Sequence, residues 1–542
     1  MKAFLLAVAI AVAAETQGAR MVIVGADAPG KGFDDPTPVQ PMPGNPATTL
    51  GAQRLVVFQA AADAWGARLQ SVVDIRVQVQ FVELQCSPSS AVLGFAGAVK
   101  ALKDFNGAPR GNTLYPIALA NSLARRDVDP ASGAHFQVDA KFNALIDTGC
   151  FAKRFYYGLD GNPPADGIDL RTIVLHELTH GLGFLTLVNL STGARALNSN
   201  DVFMLNLFDE ELGLPWSSMT DSQRVASETR TGKLVWTGRN ASAAAVRFVS
   251  GIAASGRPLI YAPEPFQAGS VTHWDDALAP DELLEPAYTG PLRGPVLADQ
   301  ALYDIGWVPA PQAAPITAIL PSSAHIGGRN GAFFTTDLTL RNSGAADATF
   351  TLKFLGHDAD GRTGVEKTFA LGAGKSVTYA DVLASVFEAG DTFGAILITS
   401  SAPLAALSQT STPAPAGGTF GQSVPVFATA DLLTSAAPRS IVAVREDAAA
   451  RTNLILASTA FLATDVDVRL VSESGATLAT RRYTLPPLGM TQVGSVVRDL
   501  GIAGDVARGT LVLSTPTADG AVAAYAAVID NVTNDPRTLL PR

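Results

Sequence analysis

Cysteine, histidine and charged residues are all scarce in this chain of 542 residues. It contains two cysteines and six histidines, and charged residues make up only 16% of the total. The net charge is −10 and no block of basic residues occurs, which argues against nucleic acid or an anionic membrane as the main partner. With 47% hydrophobic residues, the chain is globular and has enough apolar material for several cores.

Long hydrophobic runs are also missing, except at the N-terminus. Lys2 precedes an apolar run from Phe4 to Ala14 that ends in small residues. This pattern is typical of a secretory signal peptide, which we assign to residues 1–19. The alternative is a membrane anchor, but about 11 apolar residues are too few to span a bilayer. We therefore expect an exported, extracellular protein without a membrane span.

The two cysteines, Cys86 and Cys150, lie in the first third of the chain. In an oxidising compartment, an even pair predicts one disulfide. Two alternatives stay open at this point, namely two free buried thiols, or one thiol that serves as a metal ligand.

One short stretch, Leu175-His-Glu-Leu-Thr-His-Gly-Leu-Gly183, carries the clearest chemical signal. With six histidines in the chain, a chance His-Glu-x-x-His is rare. In a helix, His176 and His180 project from the same face because they are four residues apart. Their two nitrogens could hold one Zn²⁺, and Glu177 beside them could act as general base toward a zinc-bound water. This is the zincin arrangement for hydrolysing peptide bonds.

The residues around the motif argue against an ordinary surface helix with two histidines. Asp169 predicts the N-cap of a helix, and Gly183 predicts its C-terminal end. Burying polar groups without partners is costly, so a buried helix that carries two histidines and a glutamate indicates a metal site. The apolar positions that predict burial are Leu170, Ile173, Val174, Leu175 and Leu178.

A catalytic zinc usually takes three protein ligands and leaves one position for water. His325 and His357 lie in a later β-rich region and are disfavoured as the third ligand. His135 and His273 are each weak candidates when taken alone. A carboxylate from Glu210 or Glu211 is a further alternative. The residues by themselves leave this choice open.

The stretch His-Glu-x-x-His-x-x-Gly at 176–183 resembles the metzincin zinc proteases. Their usual third histidine comes three residues after the glycine, and that position here is Thr186. Leishmanolysin-like metzincins share this interruption, with an insertion after the glycine and a later histidine that completes the site. Residues 270–274, followed by 281–284, resemble the region around that later histidine. The resemblance therefore implies His273 as the third zinc ligand.

The resemblance covers about residues 50–308 and departs from the family at one position. Metzincins carry a methionine in a turn beneath the metal, and Leu284 occupies the matching position here. A leucine could fill the same hydrophobic volume. Tyr288 could contact substrate or donate to an oxyanion, although an ordinary packed tyrosine is the simpler interpretation. We expect the insertion after Gly183 and the returning segment to form the walls of a cleft.

Upstream of the motif, the pattern predicts an α+β arrangement. Residues 75–82 alternate like a half-buried strand, and further strands are predicted at 113–118 and 135–142. Residues 51–70 show helical spacing. The residues expected on the buried face of that helix are Leu55, Phe58, Ala62, Trp65 and Leu69.

The second half of the chain contains an internal repeat. Thr336 to Leu340 parallels Thr452 to Leu456, and other segments match at offsets of 114–116 residues. Each copy has short alternating strands between Gly, Ser and Asp turns, which predicts two all-β sandwich repeats of immunoglobulin-like type. The predicted order is a signal peptide (1–19), an extended lead-in (20–50), an α+β zincin/metzincin-like zinc metalloprotease domain (51–308), a linker (309–315) and two β-sandwich repeats (316–432 and 433–542).

These observations favour a secreted zinc-dependent endopeptidase that acts on a protein or peptide substrate. His176, His180 and His273 are the predicted zinc ligands, and Glu177 is the predicted general base. The alternative is a surface- or matrix-binding protein that uses its β repeats and carries an inactive zinc domain. The intact Glu177 favours the enzyme, because metal binding alone does not need a base.

Overall fold

The computed structural model describes residues 18–130, 136–292, 294–311, 315–414 and 417–542. These residues form two compact units, divided between positions 312 and 313. The first unit mixes helices and strands, and the second consists mainly of antiparallel sheets. The prediction of several domains is confirmed at a coarse level, since a part that mixes helices and strands precedes a β-sandwich-like part. Residues 1–17 of the predicted signal peptide, His135 and linker positions 312–314 lie outside the described residues.

The first unit contains helices that range from six to 17 residues and several short strands. Its helices are α1 (Leu50–Gly66), α2 (Ile117–Ala124), α3 (Leu170–Leu182), α4 (Asp221–Ser227), α5 (Arg239–Ala244) and α6 (Ala298–Ile305). Its strands are β1 (Met21–Gly25), β2 (Ile75–Val82), β3 (Gly94–Ala98), β4 (Ala101–Leu102), β5 (Thr113–Pro116), β6 (Val138–Asn143), β7 (Arg154–Tyr156), β8 (Gly167–Asp169), β9 (Asn200–Asp201), β10 (Leu207–Asp209), β11 (Leu214–Pro215) and β12 (Leu234–Trp236).

A four-stranded sheet in the order β1-β2-β6-β3 forms the centre of the first unit. Strands β1, β2 and β6 are parallel, and β3 runs antiparallel to β6 at the edge of the sheet. Strand β2 spans the predicted residues 75–82 and alternates buried and half-buried positions, as expected for a strand. Helix α3 packs against β3 and β6, and α1 packs against α3.

The prediction for the first helix is wrong in two respects. Helix α1 ends at Gly66, and Leu55 is 41% exposed although it was expected in the buried face. The reason is Arg54, which is itself buried and directs its guanidinium to Asp147 at 2.8 Å. Arg54 therefore belongs to the buried face of α1, and the next residue, Leu55, points toward solvent.

Two strand predictions also need correction at their ends. The strand expected at 113–118 ends at Pro116, and α2 begins at Ile117. Proline fixes the backbone before the helix and is tolerated where no helical N–H bond is needed. The strand expected at 135–142 is β6, which begins at Val138.

Helix α3 is buried along almost its whole length and is held by specific contacts at both ends. The Asp169 side chain accepts a hydrogen bond from the Arg171 N–H and caps the N-terminus. Gly183 follows the last turn with a φ of +122°, a conformation that favours glycine. The indole N–H groups of Trp65 and Trp307 donate to the carbonyl oxygens of Leu175 and Leu182 at 3.1 and 2.9 Å. These bonds fix the helix that carries the motif.

The disulfide between Cys86 and Cys150 is present, as the sequence predicted. It leaves no free cysteine in the described residues, so the two thiol alternatives are excluded. The bond joins the segment before β3 to the segment after β6. Among the described residues, the helices are all too short or too polar to cross a membrane.

The second unit is built from strands with two short helices. Its helices are α7 (Val382–Phe387) and α8 (Val496–Asp499). Its strands are β13 (Ile316–Gly327), β14 (Phe333–Asn342), β15 (Ala348–Gly356), β16 (Glu366–Leu371), β17 (Ser376–Tyr379), β18 (Thr392–Ser400), β19 (Leu404–Pro413), β20 (Thr419–Val424), β21 (Phe427–Ala428), β22 (Leu433–Thr434), β23 (Arg439–Glu446), β24 (Ala450–Ser458), β25 (Thr464–Val471), β26 (Thr477–Leu485), β27 (Met490–Val493), β28 (Val506–Ser514), β29 (Ala521–Asp530) and β30 (Pro536–Leu539).

The strand pairing repeats within this unit. Strand β14 pairs with β17 and β19, and β24 pairs in the same way with β27 and β29. Strand β18 lies between β13 and β15, just as β28 lies between β23 and β25. One hydrogen bond recurs as well, since the Asp337 side chain accepts from the Asp381 N–H and the Asn453 side chain accepts from the Ser495 N–H. The internal repeat seen in the sequence is therefore matched by repeated topology.

The two copies share a hydrophobic core. Ile455, Ala457 and Tyr525, from strands of the second copy, belong to the same buried cluster as Ile319 and Leu338 of the first copy. The alternate residues on these strands, such as Leu454 and Leu456, face a separate core of the second copy. One sheet of the second copy is thus covered on both faces. The predicted limits of the two repeats at 432 and 433 stay a prediction.

Gly181 allows α3 to lie close to β6, so enlarging it should destabilise the first unit. A Cβ at Gly181 would lie 2.3 Å from Cγ1 of the fully buried Val138. We expect Gly181→Ala to lower the free energy of unfolding by about 1–3 kcal/mol because a well-packed core resists added volume. The control Gly97→Ala adds the same methyl group where no atom lies within 4 Å.

All five tryptophans lie in the first unit, so denaturation followed by tryptophan fluorescence reports on that unit. Equal unfolding midpoints for Gly181→Ala and Gly97→Ala would contradict this account of the packing.

Candidate metal centre

Three histidines converge at one point of the first unit. His176 and His180 project from the same face of α3, and His273 reaches them from a segment 97 residues further along the chain. The Nε2 atom of His176 lies 3.1 Å from Nε2 of His273 and 3.2 Å from Nε2 of His180. This is the one group of three or more potential ligands that the described residues bring within metal-binding range.

The hydrogen bonds of two rings define the chemistry of this group. Nδ1 of His180 lies 2.8 Å from the carbonyl oxygen of Phe184, and Nδ1 of His273 lies 2.8 Å from that of Gly269. A carbonyl oxygen only accepts, so both Nδ1 atoms carry the proton and both Nε2 atoms present a lone pair. Two lone pairs directed at one point repel each other unless a cation lies between them.

The spacing of the nitrogens also fits a metal ion. Zinc–nitrogen bonds of about 2.0–2.1 Å at a tetrahedral angle place two ligand nitrogens about 3.3 Å apart. The observed separations of 3.1 and 3.2 Å are close to that value. The outer hydrogen bonds of His180 and His273 are those that orient metal-binding imidazoles in proteins. The residues present therefore fit a bound metal ion.

Burial keeps the three imidazoles neutral. It lowers the pKa of His176 well below its ordinary value, and the repulsion that a protonated His176 would meet from a protonated His180 or His273 lowers it further. Burial likewise lowers the pKa of His180, and it lowers that of His273 to about 3. Neutral imidazole is the form that donates a lone pair to a metal.

An aromatic cluster holds the backbone on which His180 and His273 depend. We define it as Phe184, Phe203, Trp236 and Trp274. The Phe184 ring centre lies 4.8 Å from that of Trp274 and 4.9 Å from that of Phe203. Phe184 supplies the carbonyl that orients His180, and Trp274 is the neighbour of His273 in sequence. Packing of these rings therefore fixes two ligands relative to each other.

Glu177 lies next to the three histidines but is not among the converging ligand atoms. Its side chain is 6% exposed. Burial raises the pKa of the carboxyl to about 8, and a hydrogen bond from the Ala96 N–H opposes that rise. Ala96 belongs to β3, so the edge strand of the sheet orients the carboxylate of α3.

His176 and His273 line a cleft of about 640 Å³, whereas His180 is buried and is not part of its lining. One part of its wall is formed by residues 90–95, which lead into β3, and the other by the returning segment 282–290. The prediction that the insertion, residues 185–270, forms a wall of the cleft is wrong in large part. Of its residues, Ala268 and Gly269 line the cleft. The insertion instead supplies Phe203 and Trp236 to the aromatic cluster, because its apolar residues pack beneath the site.

The turn at Leu284 lies in the cleft wall and supports the His273 segment. Leu284 is fully buried with a φ of +74°, and its carbonyl oxygen accepts from the Trp274 N–H at 2.9 Å. Tyr288 also lines the cleft. Its hydroxyl oxygen accepts from the Asp169 N–H at 3.0 Å, so it ties the cleft wall to the start of α3.

The other candidate ligands lie elsewhere. The Thr186 hydroxyl donates to Asp201 at 2.8 Å in a buried position. Glu210 accepts from Ser255, and Glu211 pairs with Arg230. His325 and His357 belong to the second unit, where they pair with Asp381 and Asp358. His135 lies outside the described residues.

Sequence reasoning missed three groups that orient this site, namely the carbonyls of Phe184 and Gly269 and the N–H of Ala96. Both carbonyls lie four residues from the histidine they orient, Phe184 after His180 and Gly269 before His273. Gly269 itself was a usable signal, because a glycine often marks a backbone conformation that other residues avoid. Its φ in the structure is +93°. No local signal connects Ala96 to Glu177, since the contact depends on the packing of α3 against β3.

Comparison with known proteins adds little to this geometry. No family model matches the chain, and no curated protein matches it. A solved structure titled Crystal Structure of Thermotoga maritima 1070 is 17% identical, over 22% of this chain and 94% of that chain. Its TM-score is 0.16, which is too low to support an argument about fold or function.

Removing His273 should abolish tight metal binding. We expect one zinc ion per chain in the wild type. Loss of a hydrogen-bond partner of a ligand lowers metal affinity by about 10–100-fold, so loss of the ligand itself in His273→Ala should lower the zinc affinity by more than that. Metal analysis after dialysis and zinc titration measure the change. The control His357→Ala alters a histidine of the second unit and should keep the full metal content. Unchanged zinc in His273→Ala would remove this residue from the site.

Gly269 should be required to orient His273. A Cβ at this position would lie 3.0 Å from Nδ1 of His273, and the positive φ strains any other residue. We expect Gly269→Ala to weaken zinc binding by about 10–100-fold. Gly290 lines the same cleft and has free space around it, so Gly290→Ala is the matched control. Equal zinc affinities of the two variants would show that a glycine is not required at position 269.

Proposed function

We propose that this protein is a secreted zinc-dependent endopeptidase of the metzincin type, with a leishmanolysin-like interruption between its second and third ligands. The proposal rests chiefly on one observation. His176, His180 and His273 converge within metal-binding range, and His176, His273 and Glu177 line an open cleft. In this proposal zinc is the metal, the first unit is a zincin-like catalytic domain, and the repeats of the second unit are immunoglobulin-like.

The residues of the chain have distinct roles in the proposed reaction. His176, His180 and His273 would hold the zinc ion through their Nε2 atoms. When bound, zinc supplies Lewis acidity, which polarises a carbonyl group and makes water more acidic. A carboxylate oxygen of Glu177 takes up the proton of the attacking water and then delivers it to the nitrogen of the leaving amine. The Ala96 N–H orients this carboxylate throughout.

The edge strand beside the cleft supports a peptide as the substrate. Strand β3 pairs with β6 on one side, and no strand of the described residues pairs with its other side. The Ala96 N–H points away from β6 toward Glu177, and alternate residues of a strand share the same edge. The backbone groups of Gly94, which lines the cleft, therefore face the same way and are available to an extended peptide.

The buried carboxylate distinguishes this proposal from a binding protein with an inactive zinc domain. Burying an acidic side chain without a cationic side chain beside it is costly, and three histidines need no carboxylate to hold a metal ion. Glu177 nevertheless lies in the cleft wall next to the ligands, where a proton acceptor is useful for hydrolysis.

Replacing Glu177 should separate metal binding from catalysis. We expect Glu177→Gln to keep one zinc per chain and to lower kcat/KM for a quenched peptide substrate by about 10²–10⁴-fold, because the amide cannot accept the proton. The control Glu210→Gln changes a glutamate outside the cleft and should leave both quantities unchanged. Chelation followed by zinc addition should abolish and then restore the wild-type activity.

Wild-type activity in a Glu177→Gln variant that retains zinc would contradict the proposed base. A wild-type protein that binds zinc but cleaves no member of a broad peptide library would favour the inactive-domain alternative.

A further inference from the structure

A second cavity, of about 290 Å³, lies within the second unit, where the two copies of the repeat meet. We call it the inter-repeat groove and define it by Arg329, Phe334, Phe393, Arg451, Asn453 and Gln492. The first three of these residues come from the first copy and the other three from the second. Its volume is at the lower end of the range for small-molecule sites, so it can hold one ring-sized group.

The charge of this groove is opposite to that of the chain. The chain has a net charge of −10, yet the groove is lined by two arginines and by no aspartate or glutamate. Within the described part of the chain, neither Arg329 nor Arg451 forms an ion pair with a carboxylate. Two positive charges that share a groove without a counterion form a site for an anion.

Arg451 is held in place by neutral groups. Its Nη1 donates to the side-chain oxygen of Asn531 at 2.9 Å, and its Nη2 donates to that of Asn534 at 3.0 Å. Asn534 is buried and donates in turn to the backbone carbonyl of Arg329 at 3.3 Å. Burial, and then the charge of Arg329, lower the pKa of Arg451 from its ordinary value. The guanidinium is therefore preorganised, and its charge stays uncompensated.

Amide groups add further donors to the groove. The side-chain oxygen of Asn453 accepts from the Ser495 N–H, and that of Gln422 accepts from the Thr538 hydroxyl. Across the residues that the structure describes, neither amide nitrogen donates to a protein acceptor. The lining thus adds amide donors to the two guanidinium groups. Such a lining suits a ligand rich in acceptors.

Comparison of the two copies shows that carboxylates are absent where the groove forms. The first copy has Asp337 and Asp381 in the hydrogen bond that Asn453 and Ser495 form in the second copy. Thr335 lies two residues before Asp337 in the first copy. The corresponding residue of the second copy, two residues before Asn453, is Arg451. The second copy therefore carries an arginine and neutral side chains at the positions that face the groove.

We propose that the inter-repeat groove binds a carboxylate-bearing sugar, such as a hexuronate unit of an acidic glycan. Arg451 and Arg329 take the carboxylate, and the amides of Asn453 and Gln422 donate to ring hydroxyls. The phenyl rings of Phe334 and Phe393 provide apolar surface for the C–H face of the sugar ring.

A matched pair of ligands tests the proposal on the full-length protein by isothermal titration. Methyl β-D-glucuronide and methyl β-D-glucoside differ only in the carboxylate, so we expect the glucuronide to bind at least tenfold more tightly. Arg451→Gln should weaken glucuronide binding by at least tenfold. Arg469→Gln is the matched control, because Arg469 is an exposed arginine of the same copy that bonds to Thr477. Arg329→Gln, at an exposed position, repeats the test if Arg451→Gln fails to fold.

Other outcomes would overturn the proposal. Equal binding of sulfate and glucuronide would reduce the groove to a general anion site. Tighter binding of acetyl-Ala-Ala-Ala, which carries a free carboxylate, would assign it to peptides. Equal glucuronide binding by Arg451→Gln and wild type would place the sugar elsewhere, and absence of binding by the wild type would refute the sugar assignment altogether. These measurements record binding alone, so they are independent of whether the first unit cleaves peptides.

Discussion

The first unit depends on how one buried helix presents polar side chains to a cleft. Helix α3 is surrounded by apolar side chains, and the Nε2 lone pairs of His180 and His273 would repel each other without a cation between them. Three features hold this arrangement in place. Indole groups bond to the carbonyls of Leu175 and Leu182, a glycine lets the helix approach β6, and the aromatic cluster fixes the returning segment. The fold therefore keeps the polar groups on one short face.

Much of this site could be predicted from the sequence because the helical rule is local. A spacing of four residues places His176 and His180 together in any α-helix, and Asp169 and Gly183 mark the ends of that helix. The position of His273 is different. No local rule connects residues 97 positions apart, and this assignment depended on family resemblance. The carbonyl of Phe184 and the N–H of Ala96 were missed because backbone groups carry no sequence signal of their own.

The errors in the fold have a similar origin. The buried face of α1 was misplaced because it was read from the spacing of apolar residues alone, whereas Arg54 is buried with Asp147. One wall of the cleft was wrongly assigned to the insertion because chain order does not tell which segment lies beside a helix. In the second unit, offsets of 114–116 residues revealed the repeat, but not that the two copies share a core. A groove between copies cannot be read from either copy alone.

The disulfide has a consequence for the durability of the cleft. Cys86 and Cys150 close a loop with a sequence separation of 64 residues, which contains β3 and β6. Residues 90–95, which line the cleft, lie four to nine positions after Cys86, and Phe151, which also lines it, follows Cys150 directly. A single backbone cut inside this loop leaves both new ends covalently attached. The cleft wall thus stays attached after a single cut, until the disulfide is reduced.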